Sequence, residues 1–423
     1  MTPLSCGSSL SRDVFAGIRR RMMLEFCKWD PQVEDVSSLC PFPLLLTKDA
    51  WRQLVRLSEK LAGETLAAET ELLGRPDLLR QLGLPRPLTR LLCHPGNLQP
   101  SAAVARIMRF DFHWTTDGWR ISEVNSDVPG GFIESSAFTH LMEQSVPGTM
   151  TTGDPAGTYA KALAQANTRT AGMVHATAYS DDRQVMTYLS QRLQQCGVGT
   201  YLISPDDVTW KSGRAVLQLS RDKVAADLLV RFYPGEWLPN LARRSGWQHF
   251  FFGSQTAISN PGTSMVTQSK RLPLVWDKLS TPLPAWRSLL PETRDPRHVP
   301  WRRDESWVLK PALGRVGEFI GLHGVTSGRD WRSIRRGATW WPLHWVAQQR
   351  FEMVPLPGLV KPMFPVIGVY TIDRSVGGIY ARLASSPLID HLAQDVAVLM
   401  PRSEPAYALA SAPSGVHERS HGQ

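Results

Sequence analysis

Apolar positions recur at helical spacing in the first hundred residues of the chain. Between Lys48 and Leu82 they lie three to five positions apart, the spacing of one helix face, at Trp51, Leu54, Leu57, Leu61 and Leu66. Pro76 is expected to divide this helix, because proline inside a helix removes a backbone hydrogen bond and clashes with the preceding turn. We therefore predict a mostly helical region over residues 1–101.

The pattern changes to that of a strand pair from residue 102 onward. Residues 105–114 and 119–125 mix apolar and polar positions as half-buried strands do, and a Thr-Asp-Gly turn at Asp117 joins them as a hairpin. Residues two apart on a strand point to the same face. A turn centred on Asp117 predicts two facing pairs on one surface: Asp111 with Glu123, and Arg109 with Asn125.

Three side chains of this predicted cluster offer hard oxygen donors, namely Asp111, Glu123 and Asn125. Carboxylate and amide oxygens suit magnesium, and nucleotide phosphates would complete the octahedral coordination. The same spacing also fits a polar hairpin face that is merely exposed to solvent. On the residues alone, both interpretations stay open.

A small α/β sub-domain is predicted for residues 172–258. A helix is expected to begin at Asp181 and to run to Cys196, with Gly197 ending it. Three apolar runs around this helix are expected to be strands: 173–178, 200–203 and 227–232.

Residues 259–400 are predicted to form a nucleotide-binding region, together with the strand pair in 102–171. A short helix is expected from about Lys270 to Leu279. Strands are expected in three places: 307–310, near Val346 and near Val366. Residues 401–423 are rich in Ser, Pro, Ala, Gly and His, and are predicted to be a disordered tail.

A lysine at the end of an apolar strand is the second chemical signal. The run that starts at Trp307 ends at Lys310, and Gly314 and Gly317 follow as a Gly-x-x-Gly turn. Backbone N–H groups of such a turn can cradle phosphates while the ammonium lies beside them. The segment is not a Walker A motif, because no Gly-Lys-Ser/Thr follows. An ordinary hairpin would fit the same residues.

Chain length and charge narrow the class of protein. The 423 residues exceed what one core usually organises, so more than one sub-domain is expected. A formal net charge of +9 would suit nucleic acid, an anionic membrane or an acidic substrate. The basic residues form only short clusters, however, at 19–21 and at Arg332, Arg335 and Arg336. Such clusters are typical of solvated helix faces, and we expect no nucleic-acid partner.

The cysteines and the hydropathy of the sequence indicate in which cellular compartment the protein is expected. The five cysteines are odd in number and widely spaced, without a CxxC or zinc-binding pattern, which indicates reduced thiols. The N-terminus shows no signal-peptide stretch, and no run approaches the roughly 18 apolar residues of a membrane helix. We therefore expect a cytoplasmic protein without membrane association.

Several motifs occur in a specific order between Arg109 and Ile389. They are Arg109-Phe-Asp111, Glu123-Val-Asn125-Ser-Asp127-Val-Pro129, Lys270 before Leu272-Pro-Leu-Val-Trp276, Lys310-Pro-Ala-Leu-Gly314-Arg315-Val-Gly317, Gln348-Gln349, and Gly368-Val-Tyr-Thr-Ile before Gly378-Ile-Tyr-Ala-Arg382. This order resembles the synthetase domain of the glutathionylspermidine synthase family, a circularly permuted branch of the ATP-grasp superfamily. In the permuted order the acidic residues precede the lysines, as they do here.

The resemblance implies an α/β (α+β) ATP-grasp-like fold that uses ATP and two magnesium ions. It implies three groups of site residues, which are the magnesium ligands Asp111, Glu123 and Asn125, the ATP-binding residues Lys270, Lys310, Gly314, Gly317, Gln348, Gln349 and Arg382, and Arg109 at the transferred phosphoryl group. Of the ATP-binding residues, the lysines and Arg382 would contact phosphates, and Gln348 or Gln349 would lie near the adenine.

The resemblance further implies a ligase that joins a small-molecule carboxylate to an amine. ATP would phosphorylate the carboxylate, and the amine would attack the acyl phosphate, with release of ADP and phosphate. Glutathione and spermidine are not assumed as substrates, because the chain departs from the family at Val316, at Leu383 and at 128–130. We also expect no amidase domain of the kind that some members carry.

Two other functions stay open on the sequence. The departures at Val316 and Leu383, where relatives carry Glu and another acidic residue, would fit a relative that binds nucleotide without turnover. A basic nucleic-acid-binding protein is the second alternative, and its affinity would fall steeply with salt.

Overall fold

The computed structural model of the protein describes residues 2–29, 32–33, 36–96, 99–164, 167–314 and 319–402. Gly317, Val316 and residues 403–423 of the predicted tail lie outside these ranges. The α-helices of the described residues are α1 (Arg12–Glu25), α2 (Lys48–Leu73), α3 (Pro76–Leu79), α4 (Arg86–Cys93), α5 (Thr139–Ser145), α6 (Pro155–Leu163), α7 (Ser180–Gln194), α8 (Met265–Gln268), α9 (Pro284–Leu289) and α10 (Gly328–Trp340).

The strands belong to several separate sheets. In chain order they are β1 (Leu4–Cys6), β2 (Gln32–Val33), β3 (Val36–Ser37), β4 (Leu44–Leu46), β5 (Ile107–Thr115), β6 (Gly118–Asn125), β7 (Thr149–Thr151), β8 (Thr170–Val174), β9 (Gly199–Ile203), β10 (Val208–Lys211), β11 (Arg214–Gln218), β12 (Lys223–Ala225), β13 (Leu228–Arg231), β14 (Ala257–Ser259), β15 (Thr293–Arg294), β16 (Trp307–Pro311), β17 (Trp345–Gln349), β18 (Phe364–Ile372), β19 (Ser375–Ala384), β20 (Gln394–Asp395) and β21 (Val398–Pro401).

The long predicted helix is confirmed as α2. Its N-terminus is capped by Thr47, whose side chain accepts a hydrogen bond from the N–H of Ala50, as N-terminal caps commonly do. It ends at Leu73, and the chain resumes as α3 with Pro76 in the first turn. Pro76 therefore divides the helical segment as predicted, since proline is tolerated at the start of a helix and not in its interior.

The central sheet has the strand order β20-β19-β18-β5-β6, and all of its pairs are antiparallel. The predicted hairpin of β5 and β6 is confirmed together with its register, because Asp111 faces Glu123 and Arg109 faces Asn125. A bulge after Asp111 shifts the register beyond this point. β18 lies on the other side of β5 and places Gly368 opposite Asp111.

The two faces of β5 have opposite roles. Phe110 and Phe112 are fully buried, and Trp286 of α9 packs edge-to-face on Phe110 with ring centroids 6.1 Å apart. α2 covers the neighbouring strand β18. Because side chains alternate along a strand, Arg109 and Asp111 project from the other face, which borders the large cavity of the molecule.

The predicted α/β sub-domain is built on a parallel sheet with the order β14-β13-β8-β9. β8 begins at Thr170 and ends at Val174, so the predicted strand 173–178 was placed too late. The reason is the small residues at its start: a Cβ on Gly172 would lie 2.9 Å from side-chain carbons of Leu217 and Leu229. Small residues at a tightly packed position weaken the apolar pattern that marks a strand.

A third sheet, in the order β15-β17-β16, carries Lys310 opposite Val346. α10 packs on this sheet and buries Ile334 and Ala338 in a shared apolar cluster. The short helix predicted from about Lys270 to Leu279 is present as a 3₁₀ helix over Leu272–Lys278, with hydrogen bonds between residues three apart.

Strands from both ends of the described chain meet in a further sheet, whose order is β1-β4-β21-β7. The predicted helical N-terminal region therefore also supplies two strands to this sheet, β1 and β4, while its boundary and the other sub-domain boundaries stay predictions. Within the described ranges, no helix combines the length and apolar character that crossing a bilayer would need.

Candidate active site

A cavity of about 650 Å³ lies between the polar face of the central sheet and the antiparallel strand pair β16–β17. It brings together the residues that the sequence assigned to chemistry, and those lining it are Arg109, Asp111, Glu123, Asn125, Lys270, Lys310, Gly314, Gln348, Gln349 and Arg382. Gly317, the remaining predicted site residue, lies outside the described residues. The merely solvent-exposed hairpin face, left open on the sequence, does not match this arrangement.

Arg109 and Asp111 form a two-pronged ion pair on β5. Nε and Nη2 of Arg109 donate to the two carboxylate oxygens of Asp111 at 2.7 and 2.9 Å, and Nη1 donates to the carbonyl oxygen of Gly130 at 2.7 Å. Asn125 adds a hydrogen bond from Nδ2 to Asp111 Oδ2 at 2.9 Å. Gly368 makes room for this pair, since a Cβ there would lie 2.7 Å from Cδ of Arg109.

Lys270 and Glu123 form the second ion pair of the cavity. Lys270 Nζ lies 2.8 Å from Glu123 Oε2 and 3.4 Å from the carbonyl oxygen of Gly314. Burial alone would raise the pKa of Glu123, but the positive charges of Lys270, Lys310 and Arg109 outweigh it and lower that pKa. Glu123 is therefore a carboxylate at neutral pH.

Lys310 is buried at the end of β16, as its strand position predicted. Its Nζ donates to Gln348 Oε1 at 2.6 Å and to the carbonyl oxygen of Ser122 at 3.4 Å. Burial lowers the pKa of Lys310 to about 8, with Glu123 opposing this change and Lys270 adding to it. Gln348 also donates to Thr293 Oγ1 at 2.9 Å, so both ends of its amide are engaged, the oxygen with Lys310 and the nitrogen with Thr293.

Arg382 lines the cavity but is held by the segment that follows it. Its Nη2 donates to the carbonyl oxygens of Asp390 and Ala393 at 2.6 and 3.0 Å. Leu383, one of the positions where the sequence departs from the pattern that the family resemblance implies, is only 1% exposed and packs in the main apolar core. Adjacent residues on a strand point to opposite faces. A side chain at position 383 therefore faces the core, and a leucine there does not deprive the cavity of a polar group.

Another cluster on the cavity wall escaped sequence reasoning. Lys28 Nζ lies 2.6 Å from Glu134 Oε1 and 3.5 Å from Asp395 Oδ2. The hydroxyl of Tyr380 donates to Asp395 Oδ1 at 2.7 Å, and its ring lies 4.9 Å from the guanidinium of Arg109. Burial raises the pKa of Asp395 to about 6, although Lys28 opposes the shift. Lys28 carries no local motif, so no signal in the sequence marked it.

A buried histidine, which the sequence analysis did not single out, also borders the cavity. His113 Nε2 lies 3.0 Å from Ser122 Oγ, and its ring lies against that of Phe351 with centroids 5.1 Å apart. Burial lowers the pKa of His113 to about 3, and the charge of Lys310 acts in the same direction. His113 is thus a neutral wall residue, unsuited to binding phosphate as a cation.

The donor set fits magnesium bound jointly with phosphates. In the described part of the chain, no group of three or more His, Cys, Asp or Glu is placed to hold a metal alone. Asp111, Glu123 and Asn125 supply two carboxylates and one amide, all of them cavity-lining. Magnesium is commonly held by one or two carboxylates together with substrate phosphates and water, so a partial protein shell of this kind matches it.

Comparison with known proteins identifies the relatives of this arrangement. A family model described as glutathionylspermidine synthase preATP-grasp matches residues 44–400. A Haemophilus influenzae protein described as a candidate acid–amine ligase is 23% identical over 288 residues, which cover 65% of this chain and 69% of that protein. The family resemblance inferred from the motifs is confirmed by the match over most of the chain.

A solved structure shows the same fold. The chain superimposes on a glutathione synthetase-like effector of Globodera pallida, in its apo form, with a TM-score of 0.59 and 11% sequence identity. The superposition covers 84% of this chain and 88% of the other. The predicted mixed α/β architecture of the ATP-grasp type is thereby confirmed.

Proposed function

This chain belongs to the glutathionylspermidine synthase preATP-grasp family, and we propose that it is an ATP- and magnesium-dependent carboxylate–amine ligase. ATP phosphorylates the carboxylate of one small molecule, and the amine of another attacks the resulting acyl phosphate. An amide, ADP and phosphate are the products. The description of the Haemophilus influenzae relative, which names an acid and an amine, supports this substrate class.

One observation carries the proposal: three cations and three oxygen donors converge on a single cavity. Arg109 pairs with Asp111, Lys270 with Glu123, and Lys310 with Gln348. Each of these three cations is thus held by an oxygen-bearing side chain, and Asp111 and Glu123 among these partners are candidate metal ligands. Phosphate oxygens can replace the carboxylates as partners of the cations, and the released carboxylates can then bind magnesium.

The side chains divide the work of phosphoryl transfer. Lys270, Lys310 and Arg382 bind phosphates, and Gln348 or Gln349 lies near the adenine. The Gly-x-x-Gly segment that the sequence predicts to be a turn, with Gly314 and Gly317, would add backbone donors. Arg109 stabilises the charge that develops on the transferred group, which is commonly the largest catalytic contribution in such reactions. Magnesium, when held by Asp111, Glu123 and Asn125, neutralises phosphate charge.

Chemically, the ligase overcomes the poor reactivity of a free carboxylate. A carboxylate oxygen attacks the γ-phosphorus, and the bond from that phosphorus to ADP breaks. The amine nitrogen, without its proton, then attacks the acyl carbon, and the carbon–oxygen bond to phosphate breaks. Positioning of the two substrates in one cavity converts each bimolecular step into an effectively unimolecular one.

Loss of turnover in a nucleotide-binding relative is the main competing hypothesis, and the site argues against it in one respect. The departure at Leu383 lies in the core and outside the cavity, so it removes no catalytic group. Both candidate carboxylate ligands and both lysines are present in the cavity.

The experiment that tests the proposal screens mixtures of carboxylates and amines for magnesium-dependent release of ADP. Mass spectrometry of the reaction should show a condensed product whose mass equals the sum of the substrates minus water. An Asp111→Asn variant serves as the matched control. Nucleotide binding without ADP release in any mixture, and with no condensed product, would favour the non-catalytic relative.

A further inference from the structure

A second depression lies away from the large cavity, between α10 and the segment that precedes β16. Its volume is about 300 Å³, and its walls are four arginines with one threonine and one tryptophan: Arg302, Arg332, Arg335, Arg336, Thr339 and Trp340. We call this surface the arginine patch. It contains none of the residues assigned to the ligase site.

Like charges are held close together in the arginine patch. Arg332 and Arg336 are four positions apart on α10, and Arg332 and Arg335 are three apart, so their side chains are neighbours on one helix face. Arg302 reaches the same depression from another segment, held by a hydrogen bond from Nη2 to Thr339 Oγ1 at 2.7 Å and by the ring of Trp301 at 4.7 Å. Within the described ranges, none of these four guanidinium groups has a carboxylate partner.

Such an arrangement destabilises the isolated protein, because neighbouring like charges on a helix repel. A bound anion would relieve that repulsion. Arginine favours phosphate in particular, since its planar fork of donors matches phosphate oxygens. The charge of the patch therefore points to a phosphate-bearing ligand.

Aromatic side chains extend the arginine patch at the end of α10. Trp340 and Trp341 are 66% and 58% exposed and lie edge-to-face, with ring centroids 5.8 Å apart. Proteins that bind single-stranded nucleic acid commonly combine these two residue types. The bases stack on exposed aromatic rings, and the arginines neutralise the phosphates. From Arg332 to Trp340 the helix rises about 12 Å, enough for more than one nucleotide.

The burial of the apolar face of α10 argues against insertion into a membrane. Ile334 and Ala338 are buried against the β15–β17–β16 sheet, so apart from the tryptophans at its end the helix has no free apolar face to insert into lipid. A small free nucleotide is also a poor match, because such ligands need a pocket that buries most of their surface, whereas all four arginines are exposed. From these observations we infer that the arginine patch binds single-stranded nucleic acid, contrary to the expectation from the short basic clusters in the sequence.

The test measures fluorescence anisotropy of a labelled twelve-nucleotide oligo(dT) strand with the full chain at low salt. The double variant Arg332→Ala, Arg336→Ala should bind at least tenfold more weakly and should reduce the slope of log affinity against log salt by about 1.4. Trp340→Ala should weaken binding about 5- to 150-fold through lost stacking. Saturating ATP with magnesium should not displace the strand, and ADP release by these variants should stay unchanged.

The matched control is Arg20→Ala, Arg56→Ala, which removes two exposed arginines of α1 and α2 and gives the same net charge. It should retain strand binding if the arginine patch is the site. Equal losses in both double variants, or no binding by the wild-type protein at low salt, would overturn the inference. Binding of oligo(dT) with full affinity after Trp340→Ala, or binding to phosphatidylserine vesicles in place of the strand, would overturn it as well.

Discussion

Lys310 offers the sharpest test of the proposed ATP site, because its charge depends on what occupies the cavity. Burial lowers the pKa of Lys310 to about 8, against about 10.4 for an unperturbed lysine. Between these two pH values the unfolded chain holds more protons than the folded one, so the contribution of Lys310 to stability rises with pH. Phosphate oxygens in place of Gln348 as its partner would favour the ammonium and raise the pKa again.

The size of this effect follows from the two protonation states. At pH 8 about half of the Lys310 side chains are neutral, at pH 7 about a tenth, and at pH 9 about nine-tenths. Binding of ATP at pH 8 is therefore expected to take up about half a proton. The apparent affinity for ATP should fall about fivefold between pH 8 and pH 9.

Calorimetry in two buffers of different ionisation enthalpy measures this proton uptake directly. Lys310→Arg is the matched variant, since arginine stays protonated throughout this range. Binding of ATP to this variant at pH 8 should take up no proton at position 310. Wild-type protein that binds ATP at pH 8 without proton uptake would refute the assignment. Equal uptake by wild type and by the arginine variant would assign the proton to another group.

Three further outcomes are expected from substitutions in the cavity. Asp111→Asn or Glu123→Gln should abolish ADP release while circular dichroism shows an intact fold, because each removes an anionic oxygen at nearly constant shape. Turnover with unchanged magnesium dependence in either variant would contradict the metal assignment. Lys310→Ala should weaken ATP binding by about 1.5–3 kcal/mol, and equal affinities in a calorimetric titration would reject a phosphate contact. Arg109→Ala should reduce kcat about 10²–10³-fold with a smaller effect on ATP affinity, and it should also lower the free energy of unfolding by about 3–5 kcal/mol, since buried Asp111 loses its partner. Arg109→Lys should recover part of kcat, and a normal kcat in the alanine variant would leave Arg109 a structural contact.

The part of the site that the sequence predicted is the part set by local geometry. The prediction that Asp111 faces Glu123 came from a tight turn centred on Asp117. Next to the observed turn Thr115 pairs with Gly118, and the bulge after Asp111 is what brings Asp111 opposite Glu123. The position of Lys310 at a strand end was equally local. Motif order then indicated the family, because the acidic segment precedes both lysines.

Contacts between distant segments were beyond such reasoning. Lys28 meets Asp395 across 367 positions of sequence, and β4 pairs with β21 near the opposite end of the described chain. Neither contact leaves a periodic trace that one sequence reveals. The hydrogen bond from Lys310 to Gln348 could not be predicted for the same reason, since it depends on the antiparallel pairing of β16 with β17.

The pairing of cations with oxygen donors has a consequence for how ATP and magnesium would enter the proposed site. ATP alone would take Arg109, Lys270 and Lys310 from their partners and leave Asp111 and Glu123 unpaired beside its phosphates, which is unfavourable in a poorly solvated cavity. Magnesium alone would leave the cations facing one another. Together, the charges of the nucleotide and of two magnesium ions nearly cancel, so the net charge of the cavity hardly changes. ATP and magnesium should therefore bind with positive coupling, and by linkage each should raise the affinity for the other by the same factor.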